Sequence, residues 1–302
     1  MTLKDKVILR EVGPRDGLQM IRSQLDTDIK LAWIKAQAAT GFNEIEVTSY
    51  VPVSVLPQFA DASLVLSGAK KIGGLLPSVL VPNLRGAVMA MDAGAKKITF
   101  VLSVSESHNM ANVQQNTKAS LAMLRDVTAK REGRKDITIA TALATSFGCS
   151  IEGAVSEARV NEIVEQVVEA GVDEINLADT VGYGDPEQVK RIFTDVKRTV
   201  GDLPIAAHFH DTRGLGLANV VAALDAGVRR FDSALGGLGG CPFAPGASGN
   251  ITTEDTVHLF DRLGINSGID LAALLEVRRQ LAQWLPDEKL EGKLFAAGPA
   301  DR

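Results

Sequence analysis

Short apolar runs alternate with amphipathic stretches along the whole chain, and the alternation is regular enough to read as a repeated strand and helix. Val7-Ile8-Leu9-Arg10-Glu11-Val12 is a first strand, and it runs into the loop Gly13-Pro14-Arg15-Asp16-Gly17. An amphipathic helix is expected over 26–39, with Gly41 in the stop position. A second strand follows over 44–48, helical patterning over 56–69, a glycine-weakened third strand over 72–76, and a helix over 82–94. The fourth strand is expected over 97–102. The polar segment 103–115, rich in Ser, Asn and Gln, is longer than a tight turn requires and reads as a loop that covers a site. A helix then reaches about Lys130. A fifth strand is expected over 137–143, a loop around Cys149, a helix over 156–170 with Gly171 at its end, and a sixth strand over 174–178 ending at Asp179. Pro186 opens another helix, Ile205 to Asp211 is the seventh strand, 214–226 is helical with Gly227 as its stop, and 230–235 is the eighth strand.

Eight strand and helix units without hairpin signals call for parallel strands joined by crossover helices. Eight is the number that closes a (β/α)8 TIM barrel. The alternative is an open doubly wound sheet. Its nucleotide fingerprint is missing, because Gly237-Leu238-Gly239-Gly240-Cys241-Pro242 has proline where a third glycine belongs. The expected organisation is one TIM-barrel domain over 1–302, with a C-terminal helical extension from about 266. Within that extension the apolar stripe of 270–284 fits packing over the barrel better than a partner interface.

Composition narrows the partners more than the fold. A net charge of -5 argues against a general nucleic-acid or anionic-membrane surface. The two cysteines, Cys149 and Cys241, are far apart and do not resemble a disulfide framework. A reducing, cytoplasmic setting is expected, with no membrane span and no nucleic-acid partner.

The candidate chemistry centres on Ile205-Ala206-Ala207-His208-Phe209-His210-Asp211, which holds two of the four histidines of the chain. In a strand, a spacing of two puts both imidazoles on one face, about 6.6 Å apart along the chain. Paired neutral imidazoles beside an aspartate suit a divalent metal, though a core histidine next to a surface one has the same spacing. If the barrel closes, its first and last strands become neighbours, and polar residues at their carboxyl ends gather at one mouth. Those residues are Arg15 and Asp16 after strand one, Glu46 and Ser49 at strand two, Asp179 after strand six, and the histidines. Taken singly each has another use: Asp16 or Asp179 as a helix cap, Glu46 as a loop charge, Arg15 as partner to either. The segment from Gly236 to Asn250 carries six glycines in fifteen residues, which fits a loop that closes on a ligand. Cys241 lies in its middle. Asn250, just past it, offers either an oxygen to a metal or a cap to a helix starting near Thr252.

Three segments together resemble the 3-hydroxy-3-methylglutaryl-CoA lyase family. They are Glu11-Val12-Gly13-Pro14-Arg15-Asp16-Gly17-Leu18-Gln19, His208-Phe209-His210-Asp211-Thr212, and Gly236 through Asn250 followed by Thr253-Glu254-Asp255. The resemblance implies that Asp16, His208, His210 and Asn250 hold Mg²⁺ or Mn²⁺. It implies that Arg15 contacts the thioester oxygen of an acyl-CoA substrate, that Cys241 takes part in catalysis from the loop, and that Glu46, Asp179, Gln19, Ser49 and Glu254 support the site. A homo-oligomer, dimeric or higher, is expected. His208 or Asp16 is the candidate base. The chain departs from the family at Met20-Ile21-Arg22, at Ser150, and at Ala142, where the family commonly has tyrosine. A smaller residue at 142 enlarges the acyl pocket, so citramalyl-CoA or another 3-hydroxyacyl-CoA stands beside hydroxymethylglutaryl-CoA as substrate. A related aldolase or Claisen-type synthase and a non-catalytic metal-dependent binding protein are the competing classes.

Overall fold

The protein is described by a computed structural model over residues 6–131, 133–134, 136–240 and 249–298. Its strands are β1 (Ile8–Glu11), β2 (Glu44–Ser49), β3 (Leu76–Val81), β4 (Lys97–Ser103), β5 (Thr138–Ala144), β6 (Glu174–Asp179), β7 (Ile205–Phe209) and β8 (Arg230–Ser233). All pair in parallel with their sequence neighbours, and β8 returns to β1, which closes a (β/α)8 barrel. The helices are α1 (Leu18–Met20), α2 (Thr27–Ala39), α3 (Ala62–Ala69), α4 (Leu84–Asp92), α5 (Glu106–Val113), α6 (Thr117–Lys130), α7 (Glu157–Glu169), α8 (Pro186–Val200), α9 (Gly216–Asp225), α10 (Thr253–Leu263), α11 (Leu271–Trp284) and α12 (Lys293–Ala297). No helix among the described residues is long and apolar enough to cross a membrane.

Helix α8 illustrates why the alternation folds this way. Asp185 accepts from the backbone N–H of Glu187 and Gln188, both at 3.0 Å, and Pro186 supplies the first helical residue. Val189, Ile192, Phe193, Val196 and Val200 then recur at helical spacing and are buried. Phe193 meets Phe147 and Phe209, with ring centroids 5.9 and 6.4 Å away, so the helix is held against the outer face of the histidine strand. On β5 the outward residues Ile139, Thr141 and Leu143 are fully buried under helices, while Ala140, Ala142 and Ala144 point into the barrel.

Four expected boundaries are corrected. The third strand is Leu76–Val81; the apolar residues of 72–75 form a turn, and Pro77 is accommodated near the strand start, opposite Ile45. Asn83 caps the helix that follows, accepting from Gly86 N–H at 2.9 Å. The helical span 56–69 is divided into a 3₁₀ turn, Pro57–Phe59, and α3. The polar segment 103–115 contains α5 rather than an open loop. Its polar side chains tie the helix to β4: Ser103 N–H donates to Asn109 Oδ1 at 2.8 Å, and Ser105 Oγ caps the helix by accepting from His108 N–H. The eighth strand stops at Ser233, and Leu235–Gly237 forms a 3₁₀ turn.

The lower lumen is charged instead of apolar. Arg10 Nε donates to Asp232 Oδ1 at 2.6 Å, Lys97 Nζ lies 2.7 Å from Glu44 and 2.9 Å from Glu174, and Arg230 reaches Glu174 at 3.2 Å. Such a layer stands only because every charge has an opposite partner; an unpaired one would cost several kcal/mol.

Candidate active site

The turn after β1 sets Arg15 and Asp16 at the barrel mouth. Residues Gly13–Gly17 form one wide helical turn in which the N–H groups of Arg15, Asp16 and Gly17 all reach Val12 O. Buried Glu11 anchors it. Its carboxylate accepts from Gly13 N–H (2.8 Å), Leu235 N–H (3.0 Å), Gln37 Nε2 (2.6 Å) and Thr253 Oγ1 (2.7 Å). Burial pushes Glu11 up to about 8, with these donors pulling the other way. One side chain thus joins the first turn, the corner after β8 and the start of α10.

His208 and His210 leave β7 on the same face, with their Nε2 atoms 3.2 Å apart. Asn250 is brought beside them by backbone pairing: His210 bridges Asn250, Ile251 N–H donates to Phe209 O, and Asp211 N–H donates to Gly249 O. Asn250 Nδ2 donates to Asp16 Oδ2 at 2.6 Å and to Leu238 O at 2.8 Å. It is therefore not the cap of α10; Thr252 is, accepting from Asp255 N–H. Glycine is required where the segments meet: at Gly239, with φ +125°, a Cβ would collide with Asn250 Nδ2 and stand 3.0 Å from Asp16 Oδ2.

Ligand atoms of Asp16, His208 and His210 all lie within 4.8 Å of one another, and all three residues are buried. Asn250 Oδ1 is buried without a partner. Two imidazoles, one carboxylate and an unsatisfied amide oxygen fit a divalent cation, with chemistry that does not itself exclude Zn²⁺. His208 Nδ1 lies 3.2 Å from Asp232 Oδ2, the carboxylate-to-histidine contact that fixes the ring and leaves Nε2 for the site. Burial lowers His208, but Asp232 and Asp16 outweigh it and hold the ring above its ordinary pKa. Burial and the charge of His208 push His210 down to about 4, so it is neutral near pH 7. Burial acts to raise Asp16, yet Arg15, both histidines and Asn250 hold it below the usual carboxylate range.

Arg15 donates Nη1 to Asp16 Oδ1 at 2.6 Å and Nε to Glu46, which leaves Nη2 for a ligand. A cavity of about 500 Å³ opens from this cluster, lined by Arg15, Asp16, Gln19, Glu46, His208 and His210 among others. The other supporting candidates, Ser49, Asp179 and Glu254, do not line this cavity. Ser49 Oγ donates to Leu80 O and accepts from Val51 N–H. Glu254 accepts from Gly236 N–H and Arg278 Nε. Asp179 accepts from Tyr183 N–H at 2.8 Å and Gly184 N–H at 3.0 Å. Cys241 lies outside the described residues. Asp232, Arg10, Asn176 and Glu11 also serve the site without belonging to the residues expected there; the inward alternation of Arg230 and Asp232 on the last strand is the signal in the sequence.

Asp179 makes a testable pH contribution. Burial raises it from 3.8 to about 6, its two N–H donors opposing. Between those values the folded protein binds the proton and the unfolded chain does not, so stability falls as pH rises through the window, by about 3 kcal/mol in all. Asp179→Asn should flatten that portion of the profile. Denaturation midpoints of both proteins at pH 4 and 7 measure it, and an unchanged pH slope in the variant would exclude the assignment.

Comparison with known proteins gives concordant results. The HMGL-like family model matches residues 6–281. The chain is 38% identical over 288 residues to the hydroxymethylglutaryl-CoA lyase YngG of Bacillus subtilis, covering 95% of each protein. It is 39% identical over 296 residues to the mitochondrial hydroxymethylglutaryl-CoA lyase of Macaca fascicularis, covering 98% of this chain and 90% of that one. The structure of an HMG-CoA lyase from Acinetobacter baumannii in complex with coenzyme A and 3-methylmalate superposes with a TM-score of 0.94 at 41% identity, covering 99% of this chain and 97% of that one.

Proposed function

The chain belongs to the HMGL-like family, and on that premise we propose that it is a metal-dependent carbon–carbon lyase that cleaves 3-hydroxy-3-methylglutaryl-CoA to acetyl-CoA and acetoacetate. The observation that carries this reading is the convergence of Asp16, His208 and His210 at the barrel mouth, with Arg15 beside them.

Cleavage requires the tertiary hydroxyl to lose its proton while the C2–C3 electron pair moves onto the thioester as an enolate. The oxygen then becomes the ketone of acetoacetate, and a proton added to C2 completes acetyl-CoA. Asp16, His208, His210 and Asn250 would hold Mg²⁺ or Mn²⁺, whose Lewis acidity makes an alcohol easier to deprotonate, as it lowers bound water from 15.7 to about 7 in favourable sites. Glu46 and Asp16 take Nε and Nη1 of Arg15 and so aim the remaining nitrogen at the thioester oxygen, where a fixed cation stabilises developing negative charge. Asp232 fixes the His208 ring. Proton removal falls to His208 or Asp16, and proton return to C2 falls to Cys241.

A second acid is favoured by one observation. Ala142 leaves part of the barrel wall open to the cavity, which admits a different acyl chain; citramalyl-CoA, with the same tertiary hydroxyl as 3-hydroxy-3-methylglutaryl-CoA, is the second substrate. The deciding assay strips the protein with a chelator, restores Mg²⁺ or Mn²⁺, and follows acetyl-CoA and the keto acid released from both thioesters. Activity that disappears with the chelator and returns with the ion is expected. Metal-loaded protein that cleaves neither thioester would overturn the lyase reading.

A further inference from the structure

Above its charged lower layer the lumen has two unlike halves. Strands β7, β8, β1 and β2 contribute His208, Asp232, Arg10, Glu44 and Glu46, a charged and tightly paired wall. Across from it, above the ion-paired Lys97 and Glu174 of the lower lumen, β3 to β6 contribute Leu80, Thr99, Val101, Ala142, Ala144 and Ala178 beside the polar Ser78 and Asn176. Apart from the first residues of β1, β3, β5 and β8, every strand residue is buried except Val101 and Ala142. Those two are register partners on adjacent strands. Partial exposure in the middle of a barrel strand means that the side chain faces a void.

The level of that void follows from the register. Ala142 pairs with Asn176, and Asn176 with Ala206. A closed eight-stranded barrel of this kind slips by about one residue per strand, so two strands on, the residue level with Ala142 is His208. Alternate strands fill each layer of such a barrel, usually with bulky branched side chains. Here the layer is Val12, Leu80, Ala142 and His208, all of which line the cavity. A methyl group stands where bulk is usual, at the height of the proposed reacting centre. The CoA arm must leave through the mouth above, which makes this hole a poor place for it. Asn176 borders the hole toward the charged half, with Nδ2 given to Asp232 at 2.5 Å; its Oδ1 is buried without a partner.

We propose that the pocket between Leu80, Val101 and Ala142 is an apolar subsite for the C3 substituent of the acyl group, and that it takes unbranched alkyl groups longer than methyl. The inference rests on the lyase reading for the position of C3. With the polar groups at C3 held on the charged wall, the remaining substituent is the one that points across the lumen. Filling a preformed hole removes apolar surface from water and restores lost contacts, so each added methylene should raise kcat/KM until the pocket is full.

The test uses 3-hydroxy-3-alkylglutaryl-CoA thioesters from methyl to butyl, with the free 3-hydroxy-3-alkylglutarates titrated calorimetrically beside them. Specificity should rise about fourfold per methylene, roughly 15-fold from methyl to propyl, and the free acids should bind in the same order. Ala142→Phe, and independently Val101→Phe, should invert the propyl-to-methyl ratio. Cleavage of the methyl compound with longer ones excluded, and a ratio indifferent to both substitutions, would overturn the subsite and leave the lyase standing. Binding that tightens with chain length while no thioester is cleaved would support the subsite and overturn the lyase.

Discussion

An Asp16→Ala protein should fold, fail to retain a divalent ion, and turn over ~10³-fold more slowly or worse, the several kcal/mol that a Lewis acid contributes expressed as a rate. The loss should be large because Asp16 is the one carboxylate in the cluster. Without it, Arg15 loses an acceptor at 2.6 Å, Asn250 Nδ2 loses another at 2.6 Å, and two imidazoles face a guanidinium with no intervening negative charge. An added cation would lose its carboxylate ligand, since Asp232 and Glu46 are already engaged by His208 and Arg15. Mn²⁺ titration followed by paramagnetic resonance, together with turnover at saturating metal, measures both effects. Stoichiometric ion and turnover within tenfold of the parent would remove Asp16 from the proposed ligand set.

Replacing Arg15 by methionine should cost turnover and stability together, and the two costs should separate on a second substitution. The guanidinium is aimed by two carboxylates, and loss of such an electrostatic donor lowers kcat by about 10²- to 10³-fold. It also strands Glu46, which burial already holds above the ordinary carboxylate range despite the adjacent cation. Breaking a buried pair from one side costs about 3–5 kcal/mol. Arg15→Met combined with Glu46→Gln removes the stranded charge. Urea midpoints should recover in the double variant while kcat stays low. A double variant that regained turnover would mean that Arg15 serves the fold and does not act on the thioester.

Periodicity made the barrel legible. Helices such as α8 announce themselves through Asp185, Pro186 and five apolar residues at helical spacing, and the glycine stops mark most helix ends. The third strand was misplaced because Pro77 interrupts its apolar run and reads as a breaker, although a proline near the start of a strand loses little pairing. Segment 103–115 reads as a loop because Ser and Asn are loop residues by composition; their hydrogen bonds into β4 and α5 depend on a neighbour that periodicity cannot locate. The same limit governs the site. Asp16, His208, His210 and Asn250 stand out as a motif and are gathered by the fold. Asp232 does not, and Glu11 opens one of the motif segments without showing its role, because their work depends on contacts with residues 24 and more than 200 positions away.

The seam between β1 and β8 has a consequence for the chain's biosynthesis. The hydrogen bond from Asn250 to Asp16 spans 234 residues, so no nascent polypeptide can complete the cluster before Asn250 has been made. Contacts of such separation are entropically expensive and form slowly. An ion that binds only the native form would act as a latch on that closure, worth ~2.7 kcal/mol at a hundredfold excess over its Kd. The geometry that gathers the reacting groups thus keeps a half-made chain chemically silent.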